Sequence, residues 1–216
     1  MKFTPGPHTF TYEYSQPTEY HFCQDSVVFP KFVAHYLKDR PVTDDYRVLD
    51  VCAGCGVIGF ELAHHDRRLK KVDFLEIQEA FRPHFAANLE ITGQSPAHFR
   101  FIHGNYADLK NEQFANQYDL IVGNPPYFFL GEGLLSPSEF QNRCRFFIDS
   151  DLRTLFEGVL NALKPATGAA FLLVKSGETH GRRSLRDLTL WLAGRGTVEK
   201  ATEIRGTTVI KVTKPI

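Results

Sequence analysis

The segment Asp119-Leu120-Ile121-Val122-Gly123-Asn124-Pro125-Pro126-Tyr127 sets an amide, two prolines and an aromatic ring directly after an apolar run. Leu120 to Val122 reads as a buried strand that halts at Gly123. Pro126 biases Pro125 toward an extended backbone, and neither proline has an N–H to donate. The turn therefore exposes acceptors, namely the Asn124 side-chain oxygen and its own carbonyl oxygens. With the Tyr127 ring beside them, they suit a flat group bearing an NH2, accepting its hydrogens while the ring covers its face. An ordinary proline-rich turn after a strand is the plainer reading of the same residues.

A second group lies upstream. Arg47-Val48-Leu49-Asp50-Val51 has a buried-strand pattern and runs into Cys52-Ala53-Gly54-Cys55-Gly56-Val57-Ile58-Gly59, followed by Phe60-Glu61-Leu62-Ala63. Strand, glycine turn and helix in that order make a nucleotide-binding βα unit, in which glycines let a ligand approach the backbone. Gly54, Gly56 and Gly59 satisfy G-x-G-x-x-G in the strand-to-helix context that such a match requires. Glu76 ends the next strand, Lys71 to Glu76, within the range expected for gripping two ribose hydroxyls. Asn105 follows a third strand, His98 to Ile102, where a side chain can reach an adenine edge. Parallel βα units place ligands outside the carboxyl ends of their strands, and Asp50, Glu76, Asn105 and Asn124 succeed one another at such ends.

The elements that carry these residues follow from periodicity and breakers. A leader rich in Tyr, Phe, Pro and Thr, including Gln16, Tyr20 and Phe22, reads as a packing arm or an aromatic lid. Asp25 or Ser26 then caps a helix carrying Val28, Phe32, Val33, Tyr36 and Leu37, with Pro30 restricting where its first turn lies. Further helices are expected over Glu79–Ile91, Leu152–Leu163 and Arg183–Ala193. Further strands are expected over Tyr118–Val122 and Ala169–Val174. Thr197–Ile204 and Thr207–Thr213 pair around the turn Arg205-Gly206. Residues 128–140 read as a plain loop, although their glycines and aromatics also suit a mobile segment facing the substrate. The whole chain, 1–216, reads as one domain, with an arm and helix over 1–45 and a core over 46–216.

With 216 residues there is ample material for one core, and no apolar run approaches the length of a membrane span. The start is no secretory signal, so a cytoplasmic place and no membrane partner are expected. Lys plus Arg and Asp plus Glu number 25 each, so no global field draws the protein onto nucleic acid. From Lys175 onward nine basic residues face four acidic ones, an excess that suits a local phosphate patch or a solvated helix face. Cys52 and Cys55 have C-x-x-C spacing, but no second such pair or compact histidine pair completes a zinc site. All four cysteines, Cys23 and Cys144 included, read as reduced packing thiols, and no metal is expected.

Taken together, the glycine loop, Glu76, Asn105 and Asn124-Pro125-Pro126-Tyr127 resemble the class I S-adenosylmethionine-dependent methyltransferases, in the branch that methylates planar amino groups. The resemblance runs from about Arg47 to Thr213. It implies an α/β, Rossmann-like fold: a seven-stranded, mostly parallel sheet with helices on both faces and a C-terminal antiparallel hairpin. It also implies S-adenosylmethionine as cofactor and S-adenosylhomocysteine as product. Asp50, Gly54 and Gly56 would border the methionine part, Glu76 would hold the ribose hydroxyls, and Asn105, in place of the usual aspartate, the adenine. Ala53, Ile77, Tyr106 and Asn124 join the cofactor-contacting positions, and Asn124, Pro125, Pro126 and Tyr127 form the catalytic motif. Gln16, Tyr20, Phe22 and Asp25-Ser26, with Gly131-Glu132-Gly133, Ser136-Pro137 and Arg143-Cys144-Arg145, further resemble bacterial valine-tRNA adenine-N6 methyltransferases. Phe147 departs from that group, where an acid is expected. The implied target is the N6 of an adenine in RNA, with tRNA favoured as partner.

Three rivals share parts of the pattern. Protein-glutamine methyltransferases use the same tetrapeptide, but those acting on release factors carry a helical domain before a strand that here begins at Arg47. DNA adenine methylation would ask for a target-recognition domain. An NAD-dependent dehydrogenase explains the glycines but neither Asn124 to Tyr127 nor the hairpin, and a silent RNA-binding module finds support only in the basic tail.

Overall fold

The structure is a computed structural model and describes residues 10–175 and 185–216. In chain order it contains α1 (Asp25–Leu37), β1 (Arg47–Val51), α2 (Val57–His65), β2 (Lys71–Glu76), α3 (Arg82–Thr92), β3 (Phe99–His103) and β4 (Leu120–Gly123). There follow β5 (Phe128–Phe129), α4 (Glu139–Arg145), β6 (Phe146–Phe147), α5 (Leu152–Ala162), β7 (Ala169–Lys175), α6 (Leu185–Trp191), β8 (Thr197–Ile204) and β9 (Thr207–Thr213). Seven of the strands form one sheet in the order β3-β2-β1-β4-β7-β9-β8. Pairing is parallel from β3 across to β7, and antiparallel where β9 joins β7 and β8. The expected α/β fold, with its seven strands and terminal hairpin, is the one found.

The central strands are apolar on both faces because helices cover both. Val48, Val72, Val122 and Phe171 turn into a core shared with α1 and α2. Their neighbours Leu49, Leu75, Ile121 and Leu172 turn the other way, onto α5 and α6. The order reverses at β1 and β4, and there the register sets Val51 opposite Gly123 on one side and Leu75 on the other. That crevice is where a doubly wound sheet binds its ligand. Gly123 has no alternative at this crossing: a Cβ would stand 2.6 Å from the Val51 carbonyl oxygen.

Three expectations need correction. Neither Asp25 nor Ser26 caps α1. Gln24 is its N-cap, Asp25 is its first residue, and Pro30 lies inside the helix. The N–H that Pro30 lacks is offset by complete burial of Val27, Val28, Phe29 and Val33. Residues 128–140 are not a plain loop. Phe128–Phe129 pairs in parallel with Phe146–Phe147, and Ser136 and Asn142 bind each other through Ser136 N–H to Asn142 Oδ1 and Asn142 Nδ2 to Ser136 O, both 2.8 Å. The clasp joins one side chain to backbone six residues earlier, and no hydrophobic period reveals it.

The basic tail is the third. Arg195 pairs with Glu157, Lys200 with Glu203, Arg205 with Asp25 and Lys211 with Glu199, so those charges are internally matched. Arg182, Arg183 and Glu178, and the expected start of a helix at Arg183, lie outside the described residues. Among the described residues no helix is long and apolar enough to cross a membrane.

Candidate active site

The carboxyl ends of β1, β2 and β4 open onto a cavity of about 270 Å³. Ala53, Gly54, Glu76, Ile77 and Tyr106 line it, as do all four residues from Asn124 to Tyr127. Asp50, Gly56 and Asn105 do not line it.

The loop side is built by backbone geometry. Cys52, Gly54 and Gly56 all have positive φ, at 57°, 55° and 87°. Glycine adopts this conformation freely, whereas at Cys52 it is a strained choice beside a site. Gly59 is required for a different reason: its missing Cβ would stand 2.4 Å from the Phe74 ring. Asp50 is fully buried beneath the loop, where its Oδ2 accepts from the Gly59 N–H at 2.9 Å in the first turn of α2. Its Oδ1 has no hydrogen-bond partner. Burial pushes the carboxyl well above the usual range, and the neutral form lowers the cost of that orphaned oxygen.

Glu76 presents its carboxylate to the cavity with one oxygen on the Gly54 N–H (2.8 Å) and the other on the Gln78 N–H (2.9 Å). Burial raises its pKa, and the two backbone donors act against that rise. The lone pairs left over are acceptors for hydroxyl groups. Asn105 is used otherwise. Its Oδ1 caps a short 3-10 helix through the Ala107 N–H (2.9 Å), Asp108 accepts from the Asn105 N–H (3.0 Å), and its Nδ2 donates to the Asp149 carbonyl (3.2 Å). Asn is a favoured N-cap, and this reciprocal bonding fixes Gly104 and Tyr106 in the cavity wall.

The opposite side is built from side chains. Tyr127 donates its hydroxyl to Asn124 Oδ1 at 2.5 Å, and its N–H bonds the Arg145 carbonyl at 3.1 Å. The Thr207 hydroxyl is a second polar neighbour of the phenol and lies 3.4 Å from Asp25 Oδ2. Asp25 in turn pairs with Arg205 at 3.1 Å. The turn between β8 and β9 and the start of α1 thus reach the tetrapeptide from outside the sheet.

Both readings of the leader hold in part. Thr11 and Tyr14 bond the fully buried Glu61, and Ser15 bonds Asn88, which straps the segment over α2 and α3. Tyr20, Phe22, Cys23 and Ser26 line the cavity. Gln78 and Phe81 also stand in its wall, and no motif or spacing marks either of them. The four cysteines are free thiols, and burial raises all of them, Cys55 and Cys144 to about 12.

This crevice with its glycine loop, on a sheet ending in β7-β9-β8, is the architecture of the class I methyltransferases. Residues 28–132 match the family model of the methyltransferase small domain. A tRNA1(Val) (adenine(37)-N6)-methyltransferase of Yersinia pestis is 37% identical over 90 residues, covering 41% of this chain and 35% of that protein. The chain thus spans about a third of the length of the curated relatives it matches. Among solved structures, TrmN from Thermus thermophilus shares the fold with a TM-score of 0.59, at 21% identity, over 87% of this chain and 48% of that one. Precorrin-6y C5,15-methyltransferase from Geobacter metallireducens does so with a TM-score of 0.57, at 14% identity, over 94% and 95%.

Proposed function

We propose that the protein transfers a methyl group from S-adenosylmethionine to a planar amino group, the N6 of an adenine in RNA, with tRNA favoured. The observation that carries this reading is that one cavity holds both the Glu76 carboxylate and the Asn124 amide oxygen.

The residues present fit the cofactor. Glu76 is anchored by two N–H groups and free to accept from a ribose, and Gly54 lines the cavity with no Cβ to hold a ligand off. Asp50 acts from below, by fixing the loop at Gly59, in place of direct contact. Gly104 and Tyr106 would flank the adenine, and Asn105 would reach it only by giving up its cap. When bound, the cofactor supplies an electrophilic methyl on a sulfonium.

An adenine amine is a poor nucleophile because its lone pair is delocalised into the ring. Asn124 Oδ1 and the Pro125 carbonyl would accept its two hydrogens, favour a pyramidal nitrogen and aim the lone pair at the methyl. Tyr127 would cover the base, which must leave its stack to enter. For this the amine has to share or take over the oxygen that the Tyr127 hydroxyl uses on Asn124. A methylated ammonium is acidic enough to lose its proton afterwards, and no general base is assigned. The Yersinia relative supports the adenine-N6 reading.

The test is to incubate the protein with radiolabelled S-adenosylmethionine and separate pools of tRNA, rRNA, DNA and protein. Label in tRNA as N6-methyladenine is expected. Label in protein as methylglutamine would replace this reading, and tight NAD binding with none of S-adenosylhomocysteine would end it.

A further inference from the structure

Two arginines line the cavity, and they differ in how their charge is used. Arg143 pairs with Glu139 at 2.9 Å and with Asp149 at 2.5 Å, so its charge is spent within the fold. Arg145 makes no ion pair among the described residues. Its guanidinium stands 5.8 Å from the Phe128 ring centre and 5.6 Å from that of Phe146, held over aromatic faces while the side chain remains exposed. Both rings belong to the β5–β6 pair, and the Arg145 carbonyl holds the Tyr127 N–H. The free cation is therefore fixed to the same turn as the amine-accepting oxygen. Its field also reaches Tyr20 across the cavity mouth.

We propose that Arg145 is the phosphate-binding residue of the target site, gripping a backbone phosphate of the nucleic acid whose base enters against Tyr127. This rests on the function proposed above and deepens it, by giving a reason for a nucleic acid over a peptide. A guanidinium offers a planar fork of donors that matches phosphate oxygens, and aromatic support leaves that fork in place. In a nucleotide the phosphate lies on the sugar side, away from the base edge that carries the amine. A cation beside the tetrapeptide, rather than beneath it, fits that separation. A glutamine side chain brings no anion to meet it. Leu130 and Leu134, exposed in the segment between β5 and α4, offer apolar cover to unstacked bases.

The experiment compares Arg145→Gln, Arg145→Lys and the unaltered protein on unfractionated tRNA across a range of salt concentrations. For Arg145→Gln, the slope of log kcat/KM against log salt becomes shallower by about 0.7–0.9, the value of one phosphate contact. KM rises while kcat at saturation and S-adenosylhomocysteine affinity stay unchanged. Arg145→Lys keeps the charge and restores the slope, which separates this effect from a folding defect. An unchanged slope in Arg145→Gln, with transfer to tRNA intact, overturns the assignment and leaves the proposed function standing. Label in protein and in no nucleic acid from the unaltered chain overturns both.

Discussion

The two walls of the cavity are built by different means. On the loop side, position comes from the backbone: three left-handed residues, alternating within a run of five, N–H groups on Asp50 and Glu76, and glycines whose absent Cβ atoms let chains touch. On the tetrapeptide side it comes from side chains gathered from far apart: Tyr127, Thr207, Asp25 and Arg205 span the chain from the start of α1 to the last hairpin. Backbone positioning is set once the sheet forms. Side-chain positioning leaves alternative partners, as the Tyr127 hydroxyl has in Asn124 and Thr207.

If the walls divide the work as this contrast implies, substitutions on each should fail differently. The largest effect is expected at Asn124→Ala, a loss in kcat of roughly 10²–10³-fold, the scale of removing one preorganised polar group. Isothermal titration should show cofactor affinity within a few-fold of the unaltered protein, and equal losses in both would erase the distinction between the walls. Next comes Glu76→Gln, in which the amide NH2 must face one of the two N–H donors now on the carboxylate. S-adenosylhomocysteine affinity should fall about 10- to 100-fold, or about 1.4–2.8 kcal/mol, with kcat at saturation little altered. The smallest is Gly59→Ala, which forces a methyl into the Phe74 ring and should cost about 1–3 kcal/mol of stability. Urea unfolding measures it directly, and an unshifted midpoint would show that α2 moves away from the sheet at little cost.

The same contrast explains what could be read in advance. β1, β2, β8 and β9 occupy the residues expected for them because apolar runs and a turn at Arg205-Gly206 are local signals. The course of the loop side was legible for the same reason, and of the residues expected there Gly54 and Glu76 line the cavity while Gly56 does not. Asn105 was placed at the right strand end, but its amide went to a cap, a choice decided by Asp108 three residues on. Between β5 and β6 the substrate-facing segment was expected but its internal structure was missed, since two-residue strands and the Ser136–Asn142 clasp have no periodicity. Gln78 and Phe81 enter the wall only through the way the chain leaves β2, and Thr207 meets Tyr127 only because β9 lies beside β7.

The bond from Tyr127 to Asn124 bears on which bases the site can refuse. Its acceptor is already satisfied at 2.5 Å, so an incoming base must offer a donor at least as good as a phenol. A base with a carbonyl in place of the amine offers none, and would leave two oxygens facing each other in a part-buried pocket. A fully dimethylated amine fails in the same way. Under the proposed function, the tyrosine is a resident competitor: it admits an NH2, and it competes on better terms once methylation has left a single hydrogen to exchange.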